Sequence, residues 1–135
     1  MTAVALVAGK VAPIFPMEAK IRSRIAAEAL TAGQAVYINS NGKVAKSNGG
    51  AAGTAKFRGV ALESVGAGQA VSVMFEGEIG GFTVSGLAYD AVVYLSDTAG
   101  AFDTAAGTVS VVAARVVPMS DKDLTKVLWL DGFSG

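Results

Sequence analysis

Hydrophobic and polar positions along this chain alternate in short bursts, with no sustained helical period. Four segments share one pattern: AGQAVYI at 32–38, AGQAVSV at 67–73, YDAVVYL at 89–95 and LTKVLWL at 124–130. Each alternates, or runs apolar for five to seven residues, after turn-prone residues, which is the signature of a β-strand. Val36, Val71, Val93 and Leu128 fall in one column, and Ile38, Val73, Leu95 and Leu130 in another. An offset of 35 relates the first two segments. An offset of 57 relates Val36-Tyr37-Ile38 to Val93-Tyr94-Leu95 and Arg58-Gly59-Val60 to Arg115-Val116-Val117. The chain therefore reads as a duplicated unit, with pseudo-repeats at about 29–76 and 86–132.

Further strand candidates are Phe57–Glu63, Phe82–Ser85 and the β-branched run Val109–Val117. Asn41-Gly42 is a strong hairpin turn, and Thr98-Ala99-Gly100 stands at the matching place in the second half. Ser47–Ala55 (SNGGAAGTA) is a loop without the Lys-Ser/Thr ending of a phosphate-binding P-loop. GEIGGF at 77–82 reads as a bulged turn between strands. Pro16–Leu30 admits two readings. Pro at its start, Ala and Glu within and Gly33 beyond suit a helix, whereas Lys20, Arg22 and Arg24 alternate with Ile21, Ser23 and Ile25 as in a strand. Strand is favoured, because it alone places the three cations on one face. These short strands with Gly-rich turns predict an all-β fold, a small β-barrel built from an internal duplication. An extended N-terminal arm (1–19) precedes a single barrel domain (20–135).

Composition changes this picture in one respect. Hydrophobic residues make up 52% and charged residues 16%, with 17 Gly and many Ala. So much small apolar surface predicts a sizeable interface with other subunits. The apolar arm has no repeat partner. Either a neighbouring subunit orders it, which is the preferred expectation, or it folds back on its own barrel. Val11, Ile14 and Phe15 of the arm are candidate interface residues. So are Lys20, Arg22 and Arg24, together with Trp129, in the polar phase of its strand, and Phe133. Charge is unevenly placed: residues 1–58 hold eight basic against two acidic side chains, a net +6, and residues 59–135 three against nine, a net −6. Such asymmetry can steer association with an oppositely charged partner or the next copy of the chain, unless folding mixes the two halves and leaves no dipole, which is the slightly favoured reading. The basic residues are too few, and too little interleaved with aromatics, for nucleic-acid binding. No apolar run is long enough for a membrane helix.

The chain has no His and no Cys, which removes the commonest general base, metal ligand and thiol nucleophile. Two carboxylate pairs, Glu76/Glu78 and Asp121/Asp123, have the spacing to share one strand face, and the first could act as an acid–base pair. Solvated strand ends account for both more simply. Asp97 and Asp103 sit in an oxygen-rich stretch that lacks EF-hand spacing, so an ordinary turn is expected. Tyr37 and Tyr94 are repeat-related and frame matching positions. The expectation is therefore a non-enzyme without catalytic residues, metal or cofactor, working by protein–protein contact.

LTAGQAVYINSNGKV, FRGVALESVGAGQAVSVMFEGEI, VVYLSDTAGAFDTAAGTVSVVAARVVPMS and TKVLWLDG, in this order and spacing, resemble the capsid cement, or head decoration, proteins of tailed bacteriophages. The resemblance covers about residues 20–132. It implies a tulip-shaped β-barrel, commonly a homotrimer, on the outer surface of the virion capsid after assembly in the host cytoplasm. There it would bridge major capsid protein subunits and lock the shell. The resemblance brings no active site. It implies an arm, here Met1–Phe15, that reaches a neighbour. The alternative function is a non-catalytic carbohydrate- or host-binding module displayed on the virion.

Overall fold

The computed structural model describes residues 4–15, 17, 19–119, 122 and 124–131. Among these, a single 3-10 turn (Ala8–Lys10) is followed by strands β1 (Ala12–Pro13), β2 (Lys20–Ile25), β3 (Ala35–Ile38), β4 (Val44–Lys46) and β5 (Gly59–Ala61). Then come β6 (Ala70–Gly80), β7 (Val92–Leu95), β8 (Phe102–Asp103), β9 (Val112–Pro118) and β10 (Lys126–Asp131). The protein is all-β: one strongly curled antiparallel sheet in the order β4-β3-β5-β6-β10-β9-β7-β8. The four segments picked out by pattern became β3, β6, β7 and β10.

Under the offset of 57 the strand order is a palindrome. β3 and β7 stand 57 residues apart. Each pairs with the short strand after it, β4 or β8, and with the next one, β5 or β9. Those in turn pair with β6 and β10. The two units meet where β6 lies against β10, from Leu128 opposite Ile79 to Asp131 opposite Glu76. Loop hydrogen bonds draw the outer ends of the curl together: Gly49 N donates to Ser96 O at 2.8 Å, Gly100 N to Ser47 O at 2.7 Å and Val109 N to Gly49 O at 2.7 Å. The hairpin at Asn41-Gly42 and the turn at Thr98–Gly100 form as expected, with Gly42 and Gly100 at φ of 78° and 77°.

Because side chains alternate across the sheet, the interior divides into two cores. The larger spans both units and is filled by Phe57, Val60, Met74, Ile79, Val93, Leu95, Phe102, Val116, Leu128 and Leu130. Phe102 receives Phe57 and Phe82 edge-on, at centroid distances of 5.9 and 5.4 Å. Burying each such side chain contributes about 1.5–3 kcal/mol. The smaller core uses the opposite phase of the first unit: Val36, Val44, Ala61, Val71 and Val73, with Ala26 and Leu30. A parallel bridge from Ala26 to Val44 closes β2 onto β4 around it.

Four expectations change. β2 settles Lys20–Ile25 as strand, but its alternation is inverted: the cations face a groove, while Ile21 and Ile25 are 41% and 43% exposed. GEIGGF is not a turn, since residues 77–80 continue β6. The bulge lies earlier, at Phe75-Glu76 opposite Lys20/Ile21. Its extra residue switches the phase of β6, so Met74 and Ile79 both enter the larger core. Phe82–Ser85 is no strand; Phe82 makes one bridge, to Leu6. Ile38, the column partner of buried Leu95, is exposed.

The N-terminal segment takes the second of its two alternatives and folds back on its own chain. Val4 and Val11 are buried in the larger core. Val4 N donates to Phe102 O, Val7 N to Gly81 O and Ile14 N to Glu78 O, while Ala5 O accepts from Thr83 N. Space for this segment comes from two glycines. A Cβ on Gly33 would meet Val11 Cγ2 at 3.0 Å, and one on Gly81 would meet the Val11 backbone at 2.8 Å.

Candidate functional site

β2 runs along the edge of β6 that faces away from β5 and β10, as Glu76 shows by pairing with Lys20 on one side and Asp131 on the other. Apart from its closure at Ala26, β2 pairs with no strand on its other side among the described residues. Between β2 and the β3–β4 hairpin opens a groove of about 650 Å³. Lys20, Arg22, Arg24 and Arg58 line it, with Ile38, Val44, Val73 and Phe75 as apolar surface. The smaller core plugs one end of this miniature barrel; the groove is its other end.

Three of the four cations were anticipated from the alternation of β2. Arg58 was not, although the repeat had marked its position. The structure shows what separates the related pair. Arg115 Nη1 lies 3.6 Å from Asp90 Oδ1 and 3.2 Å from Asp90 O. Asp90 holds φ of 65°; Gly33, 57 residues earlier, holds φ of 92°. The first unit thus has a glycine where the second has the neutralising carboxylate. Arg58 Nη1 donates to the neighbouring Phe57 O at 2.8 Å. Among the described residues, no carboxylate pairs with Arg22, Arg24 or Arg58, while Lys20 Nζ reaches Glu76 Oε2 at 3.3 Å. That pair is well exposed and contributes little to stability.

Beyond the Lys20–Glu76 ridge lies a shallow hollow of about 180 Å³ lined by Phe15, Glu76, Gly77, Glu78 and Trp129. Trp129 stands opposite Glu78 in the β6–β10 ladder and is 39% exposed, in contrast to its fully buried neighbours Leu128 and Leu130. Phe15 and Trp129, far apart in sequence, therefore meet at one surface. Ile14 is half-buried against Gly80, and Val11 is withdrawn into the core. Phe133, Asp121 and Asp123 lie outside the described residues.

The remaining acidic candidates serve turns. Asp97 accepts from Thr108 N and Thr108 Oγ1, both at 2.8 Å, and these bonds hold its carboxyl below the usual aspartate value. Asp103 Oδ1 accepts from Ala105 N at 3.1 Å. No cluster of three acidic side chains that could hold a metal forms among the described residues. Neither a family model nor a curated protein matches this chain.

Proposed function

We propose that this chain is a viral structural protein, a cement or decoration protein on the outer surface of a phage head. In this reading it binds the major capsid protein and other copies of itself, as a homotrimer, and stabilises the shell by bridging subunits. The observation that carries the reading is the ordered series of phrases from LTAGQAVYINSNGKV to TKVLWLDG, which contain strands β3, β6, β7 and β10. The surfaces on offer support it. A cationic groove, an exposed Ile21/Ile25 face and an aromatic hollow suit contact with other chains. One weak contact repeated over a lattice yields large avidity. Catalysis has no place in this proposal: Glu76 is engaged by Lys20, and no His or Cys exists to complete a nucleophile–base pair. The test is a comparison of complete capsids with capsids lacking the protein. Complete capsids are expected to survive higher temperature and osmotic shock; equal survival refutes the cementing role.

A second reading has one specific observation in its favour. Phe15 and Trp129 flank Glu76 and Glu78, and aromatic faces beside carboxylates suit stacking and hydrogen bonding to a sugar. Binding on a glycan array that disappears with Trp129→Ala would establish this host-binding alternative.

A further inference from the structure

Three features of β2 coincide. Among the described residues, its edge away from β6 carries no strand from Lys20 to Arg24. One of its faces presents Arg22 and Arg24 to the groove, where Arg58 converges and no described carboxylate answers them. Its other face holds Ile21 and Ile25 in solvent. An open edge seeks main-chain hydrogen bonds, and alternate faces select alternate side chains.

We propose that this edge receives an extended acidic segment of a partner protein, added as a strand alongside β2. Its acidic side chains enter the groove and its intervening apolar side chains cover Ile21 and Ile25. Guanidinium groups match carboxylates with paired, charge-assisted hydrogen bonds. The acidic partner also accounts for the apolar surface of Ile38, Val73 and Phe75, which receives the carbon stems of Glu side chains. A free inorganic anion would leave most of a 650 Å³ groove unfilled and its apolar lining unused. A nucleic-acid strand would find cations but only Phe75 as a stacking surface. The proposal stands whether or not the partner is a capsid protein.

The test uses the full chain and a fluorescent octapeptide of alternating Glu and Val, followed by fluorescence polarisation and amide NMR. The peptide is expected to bind and to shift the amides of residues 20–25. The double variant Arg22→Ala/Arg24→Ala should weaken it at least about tenfold, the loss of one charge-assisted hydrogen bond. Ile21→Ser/Ile25→Ser should also weaken it, as should replacing Val by Ser in the peptide. All four positions line the surface, so melting temperatures should stay near that of the parent. The idea fails if no binding is seen at about 1 mM peptide. It also fails if the arginine variant binds equally or residues 20–25 do not respond. Displacement by inorganic phosphate, or by an oligonucleotide, at equal charge would replace it with a general anion site.

Discussion

Replacing Gly81 with Ala tests how firmly the N-terminal segment belongs to the body. Gly81 holds φ of 99°, and a Cβ there would lie 2.8 Å from both Cα and N of Val11 and 2.9 Å from its Cγ2. Backbone cannot rotate away as a side chain can, so two costs arise. The left-handed conformation itself costs about 1–2 kcal/mol for a residue with a Cβ. Relieving the clash means lifting Val11, which forfeits part of its burial and that of Val4, each about 1.5–3 kcal/mol when complete. The expected loss is about 2–4 kcal/mol, a fall in melting temperature on the order of 10 °C for a chain of this size. Hydrogen exchange gives the local readout. The amides of Val7 and Thr83, which bond to Gly81 O and Ala5 O, should lose protection. Those of β9 and β10 should keep theirs until global unfolding. An unchanged melting temperature with protection retained at Val7 and Thr83 would refute the reasoning.

Other consequences follow from single residues. Ser47 is fully buried and donates to Lys56 O at 2.6 Å, so Ser47→Ala should cost about 1–3 kcal/mol in urea denaturation by stranding that carbonyl. Phe102→Ala removes the ring on which Phe57 and Phe82 converge and should cost about 3–5 kcal/mol by the same measurement. Asp97 has a lowered folded pKa, so its contribution is complete at neutral pH and is lost as pH falls through that value. The stability gap between the parent and Asp97→Asn should therefore begin to narrow as pH falls toward the ordinary aspartate value of about 3.9, and close only below the lower folded value.

Strands β3, β6, β7 and β10 were legible because each carries an apolar run that a strand buries: Val36 and Val71 enter the smaller core, Val93 and Leu128 the larger. Turns with Asn-Gly or Ala-Gly were legible for the same local reason. What escaped was the part decided by distant neighbours. Alternation in β2 was visible, but its sense depended on which face met the groove, so Ile21 and Ile25 ended outside. GEIGGF carries three glycines, yet β10 and β1 supply ladder partners that keep residues 77–80 extended. Arg58 has no counterpart of Asp90 in the first unit, where Gly33 stands; the aligned segments show that difference, but its meaning appears only with the Arg115–Asp90 contact. The meeting of Phe15 with Trp129 likewise required the β6 ladder between them.

The covering of Gly33 by Leu6 and Val11 bears on symmetry. Two copies of one unit, back to back, would present the same surface twice. The N-terminal segment exists once and occupies the space into which a side chain at position 33 would project. The second unit uses that position for Asp90, whose carboxylate pairs with Arg115 at the surface. The first is denied the carboxylate, and Arg58 stays electrically open. A segment that makes no direct contribution to the groove thus helps leave the two edges of the body unlike, one with an unanswered arginine and the other with a neutralised one.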